Sequence, residues 1–243
     1  MLSQEYLANP RMSQSKLKRI LDGIEEFKWH LDNPTEPTEA MKLGTAVHLL
    51  LLQPEQSHHV VEMPKVDGRT TAGKLAKQEF EAALTESHIA LSPEAYEKAH
   101  AMAASVRSNS DAMQILNSCE SFEEEHYFSY QGIDFKAQTD GLGSNFVLDV
   151  KTTRCENKEF KIKNEILNNG YHFQAATYLQ ATGKKHYYII FVRNEPPYAT
   201  FPVKLSGEVI EEGRYLLDDA CVLYKNCLQS NPEFKADNKL KVI

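Results

Sequence analysis

The order of hydrophobic periods predicts an α+β fold: a mainly helical first half, then a short antiparallel meander, a helix, a hairpin and a closing helix. Three observations carry this reading. Apolar residues recur at three and four spacing as far as residue 116, the period falls to about two after residue 125, and a long amphipathic pattern over 208–228 ends the regular part of the chain.

Ser13 and Ser15 can cap a first helix that carries Leu17, Ile20 and Leu21 at helical spacing. Pro34 and Pro37 break the chain. Residues 39–52 then read as a strongly apolar helix, with Leu43, Val47, Leu50 and Leu51 on it, His48 inside it and Gln53-Pro54 as its stop. Residues 62–75 mix Gly, Pro, Thr and basic side chains and read as a surface loop, followed by helices over 74–84 and 92–116. Strands are expected at 125–130, 133–139 and 145–151, with turns at Gln131-Gly132 and at 141–144. A polar segment precedes a helix at 171–181 that Gly183 terminates, and 186–193 is β-rich with 198–203 pairing back on it.

The chain of 243 residues, with 42% hydrophobic and 25% charged residues, has the composition of an ordinary folded protein rather than a disordered or collagenous one. We expect one domain over 1–243, with a helical part at 1–120 carrying His48, a sheet and helix at 121–205 and a helix and tail at 206–243. The densest apolar run, 46–52, is far shorter than the roughly 20 residues a membrane span needs. Neither a basic start nor an apolar stretch marks a secretory signal at the N-terminus, so no membrane association and a cytosolic location are expected. A net charge of −7 argues against wrapping nucleic acid with the whole surface and leaves a local basic groove open. Cys119, Cys155, Cys221 and Cys227 form no zinc or iron–sulfur spacing and read as inert thiols.

The chemical signal is Asp140 followed by Asp149-Val150-Lys151. In a strand Asp149 and Lys151 share a face while Val150 points to the opposite layer. Two carboxylates brought together by a hairpin repel unless a hard divalent cation sits between them, and a lysine beside it can hold water or stabilise charge on a phosphate. Gln174 and Tyr178 are i and i+4 on one helical face. His48 is either a satisfied core histidine or a ligand reaching out of an otherwise packed helix.

Taken together, Ser13-Gln14-Ser15-Lys16-Leu17, Gly44-Thr45-Ala46-Val47-His48 with Pro54-Glu55, Gly68-Arg69-Thr70-Thr71-Ala72-Gly73-Lys74, Asp140, Asp149-Val150-Lys151-Thr152-Thr153 and the 174–178 segment resemble the PD-(D/E)XK nuclease superfamily. Within it they resemble the RecE-like (exonuclease VIII) phage and prophage exonucleases, related to lambda exonuclease and to RecB-type nuclease domains. The resemblance spans about residues 12–228 and implies a restriction-endonuclease-like core with a central mixed sheet. It implies a Mg²⁺-dependent exodeoxyribonuclease, Mn²⁺ substituting, that digests one strand of linear double-stranded DNA 5′ to 3′ from its ends. The 3′ overhangs would serve single-strand annealing by a RecT-like partner, and the enzyme would work as a ring-shaped homo-oligomer, a trimer or tetramer, in the bacterial cytosol.

By the same resemblance Asp140, Asp149, the Val150 carbonyl and His48 would hold metal, Lys151 would position or activate water, and Gln174 and Tyr178 would brace the site and touch the DNA backbone. Glu125 matches an upstream acidic ligand, with Glu123 and Glu124 adjacent in the same run. Many relatives carry an arginine where this chain has Gln138; Lys136 on the same strand face can restore the charge, and Arg69 and Lys74 are candidate DNA contacts. Other readings are a catalytically silent DNA-end-binding protein of the same fold, an iron–sulfur nuclease, which the cysteine spacing disfavours, and an endonuclease on the same core.

Overall fold

A computed structural model describes residues 4–33, 36–67 and 69–229. In chain order the elements are α1 (Gln4–Ala8), β1 (Met12–Ser13), α2 (Gln14–Lys18) with a 3₁₀ turn at Arg19–Leu21, α3 (Ile24–Asp32), α4 (Glu39–Leu52), a 3₁₀ turn at Pro54–His59, β2 (Val60–Glu62), α5 (Thr71–Ala83), β3 (Ile89–Leu91), α6 (Pro93–Ser108) and α7 (Ser110–Asn117). The second half runs β4 (Cys119–Tyr130), β5 (Ile133–Gly143), β6 (Phe146–Thr153), α8 (Glu159–Asn168), α9 (Tyr171–Thr182), β7 (His186–Arg193), β8 (Thr200–Lys204) and α10 (Gly207–Gln229). The break expected at Pro34, Gly68 of the loop motif and the tail at 230–243 lie outside the described residues.

The sheet is mixed. β4, β5 and β6 form the antiparallel meander, β7 joins β6 in parallel, and β8 returns antiparallel on β7. Alternation along β6 and β7 splits the core in two, as the strand period requires. Leu148, Val150, Ile190 and Val192 pack on one face with Leu43, Val47 and Leu50 of α4 and Met102 and Val106 of α6. Val147, Tyr187, Ile189 and Phe191 pack on the other with Ala175, Tyr178 and Leu179 of α9. A third cluster, Met12, Leu17, Ile20 and Phe27 with Phe135, Phe173 and Leu217, fastens the N-terminal elements to the end of β5 and to α10.

Local chemistry explains most boundaries. Thr38 caps α4 by accepting from the Met41 amide at 3.2 Å, and Pro54 stops the helix because it cannot donate to the next turn. α5 begins at Thr71 rather than residue 74 because Thr70 accepts from the Gly73 amide and so serves as its N-cap. The expected helix over 92–116 is two helices: Asn109 caps α7 through Ala112 at 2.9 Å while its amide donates to the Thr200 carbonyl on β8 at 3.1 Å. Residues 141–143, expected as turn, extend β5, and the reversal is confined to the two residues before Phe146; a Cβ on Gly143 would sit 2.0 Å from the Phe146 ring. α8 occupies the segment read as merely polar, and β2 and β3, too short to show a period, pair in parallel.

No helix among the described residues is long and apolar enough to cross a membrane. All four cysteines are free, and burial pushes the Cys119 thiol up to about 12 and the Cys221 thiol up to about 11.

Candidate active site

The site lies where the ladder on β5 changes partner. β4 pairs along one edge of β5, so β1 and β6 share the other edge: β1 meets Phe135 and Lys136, and β6 meets Gly141 and Leu142. Residues 137–140 between them have no ladder partner on that edge. There the Asp140 side chain takes the place of a backbone acceptor, its Oδ2 receiving the Val150 amide at 2.7 Å. A carboxylate fixed by a backbone donor at a sheet fork is held without having to be exposed on the surface.

His48 reaches the same fork from α4. Its Nε2 lies 2.7 Å from the Val150 carbonyl and its Nδ1 lies 3.5 Å from Asp140 Oδ2. The Val150 carbonyl takes the Nε2–H, which leaves Nδ1 directed at the Asp140 carboxylate, where a metal ligand would point. Glu123 completes the group: His48, Glu123 and Asp140 each offer a ligand atom, and these atoms lie within 4.8 Å of one another. Burial, and then the Asp140 charge, raise the Glu123 carboxyl above its ordinary range. Facing acceptors of this kind are relieved by a cation, and a nitrogen with carboxylate oxygens suits a divalent metal.

Glu123 replaces Glu125 as the acidic residue from β4. The pairs Phe122↔Gly141 and Glu124↔Thr139 bracket Glu123 and Asp140, placing them opposite one another, and Glu123 adopts a φ of 54°, left-handed for a residue with a side chain. Glu125 sits opposite Gln138, two residues further along β4, where its carboxylate accepts from the Tyr127 hydroxyl at 2.8 Å.

Asp149 stands slightly apart from this group. It is 1% exposed, and its Oδ1 accepts from Lys151 Nζ at 2.9 Å and from Gln174 Nε2 at 2.7 Å, while Oδ2 is buried with no hydrogen-bond partner. Burial pushes its carboxyl up to about 6, against the pull of Lys151. For Lys151 burial acts to lower the pKa, but Asp149 and Asp140 outweigh it and the ammonium is held above its ordinary value. Its Nζ also lies 5.2 Å from the centre of the Tyr171 ring.

Gln174 and Tyr178 are placed beside Asp149 and both are buried; Gln174 braces the carboxylate and the Tyr178 phenol bonds Gln174. The Val150 carbonyl faces the fork as expected and is engaged by His48. Lys136 is not a surface charge. It is buried, with its ammonium donating to the carbonyls of Tyr6, Leu7 and Asn9, the last at 2.7 Å, and lying against the Tyr6 ring. It anchors α1 and cannot replace a phosphate-binding arginine. Gln138 lines the site and donates to the Glu123 carbonyl at 3.3 Å. Arg69 and Lys74 are exposed at the start of α5, and no interaction among the described residues ties them to the fork.

A cavity of about 390 Å³ opens onto the cluster, walled by Leu7, Gly44, His48, Leu49, Glu123 and Asp140. It gives the carboxylates access to a ligand from outside the sheet.

The arrangement of a buried Asp–x–Lys on one strand with an aspartate from its meander neighbour fits the family whose model matches residues 13–236, described as a PDDEXK-like domain of unknown function (DUF3799). The chain belongs to this family. It therefore has the fold of the PD-(D/E)XK nuclease superfamily. Among solved structures it is similar to a provisionally named exonuclease of Eubacterium rectale, with a TM-score of 0.63 and 14% identity over 98% of this chain and 89% of that one. It also resembles a phage-related exonuclease of Haemophilus somnus 129PT, with a TM-score of 0.47 and 10% identity over 93% of this chain and 99% of that one. Comparison with curated protein sequences gives no match.

Proposed function

We propose that this PD-(D/E)XK domain is a divalent-metal-dependent exodeoxyribonuclease that hydrolyses one strand of linear duplex DNA from its ends. The observation that carries the reading is the fork itself: His48, Glu123 and Asp140 converge on one point beside the buried Asp149–Lys151 pair. His48, Glu123, Asp140 and Asp149 would hold Mg²⁺ or Mn²⁺, which supplies charge neutralisation at the scissile phosphate and a water of lowered pKa.

The protein groups divide the remaining work. Lys151 is paired with Asp149 and also faced by Asp140, and these two carboxylates hold its ammonium above the ordinary value in the metal-free chain. One of its three N–H groups goes to Asp149, leaving the others for an attacking water or a phosphate oxygen. Gln174 fixes the Asp149 oxygen that orients Lys151, and the Val150 amide holds an Asp140 oxygen, so one oxygen of each aspartate is held before substrate arrives. The −7 net charge is a sum over the whole chain and does not oppose local DNA binding, since a divalent cation would offset the carboxylate charge at the cluster.

The finer reading rests on the sequence resemblance: digestion 5′ to 3′, 3′ overhangs passed to a RecT-like annealing protein, a ring-shaped homo-oligomer around the duplex, a cytosolic location, and Arg69 and Lys74 as backbone contacts. The testing experiment is digestion of a linear duplex labelled at its 5′ or 3′ end, with and without Mg²⁺, beside a closed circle and the Lys151→Ala variant. Loss of linear DNA only with metal, survival of the circle and an inactive variant are expected, and the label released first gives the polarity. Cutting of circles refutes the exonuclease assignment, and no cleavage with any divalent metal refutes the enzyme.

A further inference from the structure

Two buried polar atoms on one face of neighbouring strands lack a hydrogen-bond partner: Asp149 Oδ2 on β6 and the Tyr187 hydroxyl on β7. The strands run parallel, with Val147 opposite Tyr187 and Asp149 opposite Ile189, so Tyr187 and Asp149 are diagonal neighbours on the face that α9 covers. Tyr187 is fully buried in the cluster of Val147, Ile189, Leu179 and Phe201. A phenylalanine would fill most of that space without a hydroxyl to satisfy, whereas a buried hydroxyl left unmet is a net cost to folding. The phenol needs an acceptor, and Asp149 is the group that acts on it most strongly after burial itself. Both effects hold its pKa well above the ordinary value, so it remains a donor.

We infer that Tyr187 is a positioning residue whose hydroxyl serves Asp149 Oδ2 and, with Lys151 and Gln174 on Oδ1, orients the carboxylate toward a divalent cation. The inference deepens the metal-dependent reading above and rests on it. Asp149 otherwise has both donors on one oxygen, which leaves the carboxylate free to rock about that oxygen. A donor on the second oxygen removes that freedom. Groups that orient a metal ligand from behind typically change metal affinity by about 10- to 100-fold when removed.

The test is direct Mn²⁺ binding to the full chain, followed by electron paramagnetic resonance of the free ion, for wild type and Tyr187→Phe, with metal-free thermal unfolding of both. The expected result is binding weakened about tenfold, with the loss in cleavage greatest at low Mg²⁺. In an Asp149→Asn background, where His48, Glu123 and Asp140 remain, Tyr187→Phe should change the residual Mn²⁺ affinity less than about twofold, because the route through Asp149 is already cut. Equal Mn²⁺ affinity of wild type and Tyr187→Phe overturns the inference, as does an undiminished effect in the Asp149→Asn background. Absence of Mn²⁺ binding by wild type overturns the metal-dependent reading instead.

Discussion

Asp149→Asn should stabilise the metal-free protein, although it removes a central residue of the site. Asp149 is 1% exposed and burial raises its carboxyl from 3.8 to about 6. At 1.36 kcal/mol per pH unit, the ionised form is therefore disfavoured by about 3 kcal/mol in the folded chain at neutral pH and above. Because the folded-state pKa is the higher one, the folded state binds the extra proton. Stability is thus greatest below the unfolded value near 3.8 and is lost as pH rises through about 6. Asparagine removes that charge but also takes a carboxylate from Lys151, so the net gain near pH 8 should be smaller than about 3 kcal/mol and is read as a higher melting temperature. The assay is thermal unfolding in EDTA from about pH 8 to about pH 5; wild type should gain stability from this group on the way down, narrowing the gap. A variant less stable than wild type near pH 8, or a gap that does not change with pH, would refute the argument that Asp149 is an electrostatically strained carboxylate.

The remaining predictions concern the other placements. Glu123→Gln should raise the Mg²⁺ concentration for half-maximal cleavage about tenfold or more while Glu125→Gln changes it less than about twofold, and a reversed order would place the wrong glutamate at the fork. His48→Ala should likewise weaken Mn²⁺ binding, measured calorimetrically; unchanged affinity would return His48 to a purely packing role. Lys136→Met should lower the melting temperature, because three carbonyls lose their donor, and leave DNA affinity within about twofold; a large loss of DNA binding with unchanged stability would restore Lys136 as a phosphate contact.

Much of this site was legible from local rules. Strand alternation places Asp149 and Lys151 together with Val150 opposite, and the structure has Val150 in the α4 and α6 core while Asp149 faces α9. Helical spacing puts Gln174 and Tyr178 on one face, and that face is turned to Asp149. Lys136 misleads because its strand position fixes its face but not its surroundings: α1 closes over that face and converts a nominal surface lysine into a buried donor. Glu123 is hidden among three consecutive glutamates, and what selects it is a left-handed backbone within β4, which no periodicity reports.

The sequence by itself determined the order of elements, the two-faced pattern of β6 and the residue types able to hold a metal, because each depends on neighbours a few positions apart. Tertiary structure alone decided that β5 changes partner between β1 and β6 and so opens a fork at Asp140. It also brought His48 from α4 onto the Val150 carbonyl, 102 positions away in the chain, and set Tyr187 beside Asp149. The physical reason is that ladder register and helix docking are settled by how the whole core packs, and contacts between distant segments leave no period in the chain that a local reading can detect.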